Sequence, residues 1–191
     1  MVLGTALSVI GVGMLVGSVI ASTWGGPRRR VPFILGGLVA GGTLLAMSGL
    51  RASPVWITVC LFGLMLLIPL INASSQALWQ IKVALDFQGR VFATRRVIAQ
   101  IAAPVSYLLA GLLADNIFEP LLSPDGPLAE SVGATIGTGP GRGIAFMFML
   151  MGAGVVATAV AGFSISAIRN LETDLPDTIA EIPAAGLEAA I

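Results

Sequence analysis

Residues 52–81 read ASPVWITVCLFGLMLLIPLINASSQALWQI, thirty positions without a charged side chain, bounded by Arg51 and Lys82. A helix rises 1.5 Å per residue, so about 20 apolar residues cross a hydrocarbon core about 30 Å thick. A charge at the bilayer centre costs roughly 2.5–3.5 kcal/mol even on the mildest scale. An uncharged apolar run of this length is what a membrane-spanning helix needs. Outward from it, residues 1–27, 31–50, 97–114 and 143–168 are also free of charge. The shortest of these, 97–114, can borrow residues from its flanks.

The pattern predicts an all-α fold, a polytopic integral membrane helix bundle over residues 1–169 with five transmembrane helices. The spans are placed at about 3–24, 32–50, 54–76, 97–116 and 143–167. Trp24 and the turn Gly25-Gly26-Pro27-Arg28-Arg29-Arg30 end the first, and Arg51-Ala52-Ser53-Pro54 separates the second from the third. Residues 117–142 form an outer loop rich in Gly and Pro. Within that loop Leu128, Val132 and Ile136 recur every four residues, which predicts a short interfacial helix. The tail 170–191 holds five acids and no base and reads as a solvated, poorly ordered cytoplasmic end.

Composition narrows the function. The chain is 56% hydrophobic and 10% charged, with mean hydropathy +0.95, against about 25% charged in ordinary soluble domains. A net charge of zero gives no reason to expect a nucleic-acid partner. The absence of histidine excludes imidazole-based zinc sites and Ser-His-Asp or Cys-His catalysis. Cys60 lies inside a span and reads as a packing residue. No metal or cofactor is expected, and an intramembrane enzyme finds no histidine, acid pair or reactive cysteine at membrane depth. The N-terminus begins directly in apolar sequence, Met1-Val2-Leu3-Gly4, without a signal peptide's basic leader. That suggests a chain starting part-way through a larger one.

Basic residues favour the cytoplasmic side of a membrane. With the N-terminus outside, the inner segments hold Arg28, Arg29, Arg30, Lys82, Arg90, Arg95, Arg96 and Arg169, and the outer ones only Arg51 and Arg142. Eight against two predicts a multi-pass protein of the plasma (inner) membrane, N-terminus out and C-terminus cytoplasmic. Trp24, Trp56 and Trp79 then fall near span ends, as an aromatic belt requires.

Two glycine-rich segments resemble nucleotide motifs. Gly11-Val12-Gly13-Met14-Leu15-Val16-Gly17 lies in an uncharged run with no acid before Asp86, so it reads as small-xxx-small helix packing through Gly13 and Gly17, matched by Gly37 and Gly41 on the second span. Gly137-Thr138-Gly139-Pro140-Gly141-Arg142-Gly143 lacks the Lys-Ser/Thr ending of a phosphate loop and reads as a flexible entry to the last helix. Polar residues inside spans carry more information. Asn72, Gln76 and Gln80 share one face of the third helix, and Gln100, Pro104, Tyr107 and Gly111 one face of the fourth, which Pro104 should kink. Ser8, Gly11, Leu15, Ser18 and Ser22 form a partly polar stripe on the first. These groups either hydrogen-bond between helices or line a water-filled substrate path, and the first reading is favoured for the serines.

Three segments resemble the C-terminal half of a major facilitator superfamily transporter, in the macrolide-efflux-like branch. Gly11–Gly17 running into Trp24–Arg30 looks like the family's eighth helix and the basic inner turn after it. Gln80 through Gly89-Arg90-Val91-Phe92-Ala93 is similar to the long inner loop between helices ten and eleven, and Gly111-Leu112-Leu113-Ala114-Asp115 to the end of helix eleven. The resemblance maps the five spans onto family helices eight to twelve, without helix seven and the N-terminal half. Ser22 and Thr23 stand where the family's inner-turn motif carries an acid and a following base. Arg28, Arg29, Arg30 and Arg90 then form a basic anchor that sets topology and touches anionic lipid. The resemblance also implies that Asn72, Gln76, Gln100, Tyr107 and Ser18 lie on or near the substrate pathway. It makes the spans at 32–50 and 143–167 outer supports.

The function expected from this reading is part of a secondary transporter that exports a small hydrophobic or amphipathic compound by alternating access. Its partners are the lipid bilayer, the small-molecule substrate and the missing N-terminal half. The alternative is a non-transporting membrane scaffold or partner subunit. Topology is directly testable. In a Cys60→Ser background, Ser123→Cys should react with a membrane-impermeant maleimide on intact cells, and Gln88→Cys only after permeabilisation. Equal labelling of both would refute the orientation.

Overall fold

The first helix, α1 (Val2–Thr23), stops where the backbone changes hand. The Trp24 N–H donates to the Ile20 carbonyl at 2.9 Å, and Gly25 and Gly26 follow at φ +70° and +85°, a region glycine occupies without steric cost. Helix α2 (Arg30–Ser48) runs back, and α3 (Pro54–Lys82) opens with proline in its first turn, where no N–H is missed. Helix α4 (Leu85–Leu113) continues through a π-helical turn, Ala114–Phe118, into the single turn α5 (Glu119–Leu121). After a looped segment come α6 (Val132–Ile136), α7 (Arg142–Ser164), and the short α8 (Ser166–Arg169) and α9 (Leu171–Asp174). This computed structural model describes residues 2–175. Among these residues there is no strand, and five helical segments are long and apolar enough to cross a membrane.

Four helices pack in the spatial order α1, α3, α2, α7. Glycine makes each contact close. A Cβ on Gly13 would stand 2.7 Å from the Phe62 carbonyl oxygen, and one on Gly17 would collide with that of Leu66. The constant offset shows α1 and α3 running side by side in the same direction. Gly37 and Gly41 turn α2 toward Ile71 and Leu64 of α3. On the other side of α2, Gly42 and Gly152 meet backbone to backbone, and Gly49 lies against the Ala145 carbonyl. Helices α3 and α2 hold the two inner places of these four. In lipid no hydrophobic effect drives helices together, so close van der Waals contact between small residues has to hold them.

The helices and the spans are not the same thing. The third helix runs on to Lys82, and the fourth begins at Leu85. The expected long inner loop over 80–93 shrinks to a two-residue link, Val83-Ala84. The charges and glutamines there limit membrane depth, not helix formation, and the Gln88 amide ties the turn by donating to the Gln80 and Val83 carbonyls at 2.9 and 3.0 Å. Residues 117–121, assigned to the outer loop, are helical as well, and the helix runs through Pro104 without a break.

The outer segment has its own small core. Leu122 is fully buried and Ile136 nearly so, while Leu128 lies outside the five-residue α6. The Glu119 carboxylate accepts from the N–H of Gly141 at 3.0 Å and of Ile144 at 3.4 Å, supplying acceptors for the start of α7. Gly143 presses against the Phe118–Glu119 backbone, and Gly137, Gly139 and Gly141 all have positive φ. The glycine-rich entry is thus a tight turn in backbone conformations that favour glycine.

The start of the tail also departs from expectation. The Glu172 carboxylate accepts the N–H groups of Arg30 at 2.8 Å and Val31 at 3.2 Å, the first orphan donors of α2. The Lys82 amine donates to the carbonyls of Glu172, at 2.8 Å, and Leu175. Residues 170–175 therefore fold back onto the bundle, and the rest of the acidic tail lies outside the described residues. An acid at a helix N-terminus is used here as a cap, so its charge did not predict solvation.

The packing makes a signed prediction. Ala is better than Gly in a helix by about 0.8–1.0 kcal/mol, so Gly11→Ala, with open space around it, should leave stability in detergent unchanged or raised. Gly17→Ala should lower it by roughly 1–3 kcal/mol, because the methyl group has no room against Leu66. Equal effects in a denaturant titration would contradict the α1–α3 contact.

Candidate functional site

Helix α4 is the least supported element. None of its side chains is buried. It is held at two places. Near its start, Arg95 donates through Nη2 to the Ser75 hydroxyl at 2.9 Å and lies over the Trp79 ring, 5.4 Å from its centre. Near its far end, Phe118 meets Phe146 of α7 edge-to-face at 6.0 Å. Between these tethers Ile98, Ile101, Val105, Tyr107 and Leu108 are all more than half exposed.

The polar residues predicted for a pathway are all exposed. Asn72 and Gln76 are exposed on α3, and Gln100 on α4, while Tyr107 is 81% exposed. None of these four side chains hydrogen-bonds to another described residue. Ser18 is exposed on α1 and satisfies its hydroxyl by donating to the Met14 carbonyl at 2.8 Å. Depth can be counted from the helices. Asn72 is seven residues from Met65, the midpoint of the 54–76 span, or about 10 Å along the axis. Tyr107 stands at the middle of the 97–116 span, and Gln100 about 10 Å from it toward the basic end. Amides within a span that lack partners among the described residues are costly in hydrocarbon. The contact between Arg95 and Ser75 brings the two polar faces to one end: Asn72 is three residues from Ser75 and Gln100 five from Arg95. Ser18 is separate, next to Gly17 on α1, whose close contact is with Leu66.

The basic anchor divides. Arg28, Arg29 and Arg30 line a cleft of about 730 Å³ with Lys82 and Arg169. Arg90 instead lines a second, shallower hollow with Trp79, Arg95 and Ile98. Arg51 and Arg142 lie at the other end of the bundle, where Gly49 meets Ala145 and where Arg51 covers Trp56 at 5.5 Å. The Trp56 indole N–H donates to the Met47 carbonyl at 2.7 Å, which fixes that corner. The grouping of Lys82, Arg169 and Glu172 with the arginine turn was not foreseen. The only sequence sign of it was that the three clusters fall on one side of the membrane. Among the described residues no three His, Cys, Asp or Glu side chains lie close enough to hold a metal ion. The predicted packing glycines are distributed over two seams, Gly13 and Gly17 against α3 from α1, and Gly37 and Gly41 against α3 from α2.

The chain is similar to macrolide efflux protein A of Streptococcus pyogenes, with 25% identity over 162 residues. The protein of the same name from Streptococcus pyogenes serotype M6 (strain ATCC BAA-946 / MGAS10394) matches to the same extent. The alignment takes in 84% of this chain and 34% of either relative, so the chain spans about a third of the length of the curated relatives it matches. No family model matches the sequence, and no solved structure matches. Five membrane-length helices and a distant likeness to an efflux protein describe a multi-pass membrane protein.

Proposed function

We propose that this chain forms part of a secondary transporter of the major facilitator type and helps export a small hydrophobic or amphipathic compound by alternating access. The observation that carries the reading is α4: a membrane-length helix without a buried side chain, bearing Gln100 and Tyr107 within its apolar span. In hydrocarbon an unpaired amide is costly, so this face needs water or further polypeptide beside it. A path between two packed halves provides both. Asn72 and Gln76 border that path from α3, and Ser18 from α1. The limited coverage of the efflux proteins agrees with a chain that supplies one wall of such a path.

The same reading accounts for the division of labour among the helices. The α2–α7 seam, closed by Gly42 and Gly152, is the rigid part. Helix α4, pinned at Arg95 and Phe118, is the part exposed to a second half. No acid or base lies in the central part of a span, so a coupling proton or ion would use a group outside these 191 residues. No step here calls for catalysis, and the protein is not proposed as an enzyme.

Reconstituted alone in liposomes, the chain should give no efflux of a macrolide-like compound above protein-free vesicles. A longer protein, carrying about seven further spans in frame before this segment, should give robust flux. In that longer protein Gln100→Leu should reduce flux several-fold without loss of expression. Strong flux from the chain by itself, or an undiminished rate in the Gln100 variant, would overturn the proposal.

A further inference from the structure

The cleft at the basic end has a composition that topology alone does not require. Five basic side chains line it, from Arg28, Arg29, Arg30, Lys82 and Arg169. They come from three separate places in the sequence: the turn after α1, the end of α3, and α8. Among the described residues one carboxylate lines it, that of Glu172, and both its oxygens already accept N–H groups from the start of α2. The guanidinium groups of Arg28, Arg29 and Arg169 form no hydrogen bond or ion pair with another described residue. The lining is thus four positive charges in excess, five bases less one acid. Like charges held this close repel one another, and an anion would relieve that repulsion.

The other wall is apolar. Pro32, Leu78, Ile81 and Phe163 border the same cleft. It opens where α1, α2, α3 and α7 all end or begin, which is the level of lipid headgroups. A site that is cationic toward water and apolar toward the bilayer matches a molecule with an anionic head and hydrocarbon tails. We propose that this cleft holds the phosphate headgroup of an anionic membrane phospholipid. Arg28, Arg29 and Arg169 bind the phosphate, and Phe163, Leu78 and Ile81 receive the first part of the acyl chains. Lys82 acts by its charge, since its amine is already engaged with the carbonyls of Glu172 and Leu175. Glu172 keeps the cleft in shape by holding α9 against α2. A basic pocket between transmembrane helices is a recognised way of capturing such headgroups, and Arg offers the paired donors that phosphate geometry suits.

The proposal stands apart from transport, and so does its test. The full chain is purified in mild detergent and offered phosphatidylglycerol and phosphatidylcholine of identical acyl chains, with retention read by native mass spectrometry. Phosphatidylglycerol should be retained in preference by about tenfold or more. Arg28→Gln/Arg29→Gln/Arg169→Gln should abolish the preference, and the matching triple substitution by Lys should keep most of it. Arg142→Gln, at the opposite end, should change nothing. Circular dichroism and melting in detergent verify that the variants fold, and the wild-type comparison of the two lipids stands without them. Excess inorganic phosphate should not displace the lipid. Equal retention of both lipids, a preference that survives the triple Gln substitution, or full displacement by inorganic phosphate would each overturn the assignment, the last by making a soluble anion the occupant.

Discussion

Backbone contact across glycine is the interaction on which the rest of this bundle depends. Apolar side chains gain little by leaving lipid for one another, so the helices must approach closely enough for dispersion forces to act between main chains. Gly17 against Leu66 and Gly152 against Gly42 are such contacts. They fix the order α1, α3, α2, α7, with α3 and α2 inside. With that order set, the ends of the helices gather into two polar margins. The arginine turn, Lys82 and Arg169 meet at one, and Arg51 and Arg142 stand at the other.

The margins carry the remaining specificity. At one, Glu172 caps α2 and Lys82 holds the segment that presents it. At the other, Glu119 serves the start of α7 in the same way. Both are single carboxylates reaching from a neighbouring element to a helix N-terminus, where the dipole favours negative charge. The bundle therefore closes itself at both ends with charges that stay out of the hydrocarbon. Helix α4 remains outside this arrangement, tied to α3 by Arg95 and to α7 by Phe118, and its polar residues are left for a neighbour or for water.

The number of spans was legible because charge is the costliest thing to place in a bilayer, and its absence over 52–81 leaves little choice. The glycine seams were legible in part. Gly13 and Gly17 stand four apart on one face, but nothing in the sequence says that Gly42 and Gly49, among the five glycines of α2 and its end, are the ones that meet α7. Helix ends were legible where they are marked by Gly25, Pro27 or Pro54, and not at 83–93, where polar residues continue a helix beyond the membrane. The basic cleft could not be read, because it depends on Glu172 folding back, and an isolated acid in a tail looks the same whether it caps a helix or faces water. The polar faces of α3 and α4 were identifiable from their four-residue spacing. Their lack of partners among the described residues was not, since spacing says which residues share a face and nothing about what covers it.

Hydrocarbon surrounds these helices, and α3 crosses it over residues 54–76. Spin labels placed singly along residues 54–82, in a Cys60→Ser background and in lipid nanodiscs, report relative access to oxygen and to a water-soluble nickel reagent at each depth. One broad maximum in the oxygen-to-nickel ratio is expected, centred near Met65 and falling toward Pro54 and toward Gln76–Lys82. A flat profile with high nickel access throughout would contradict it.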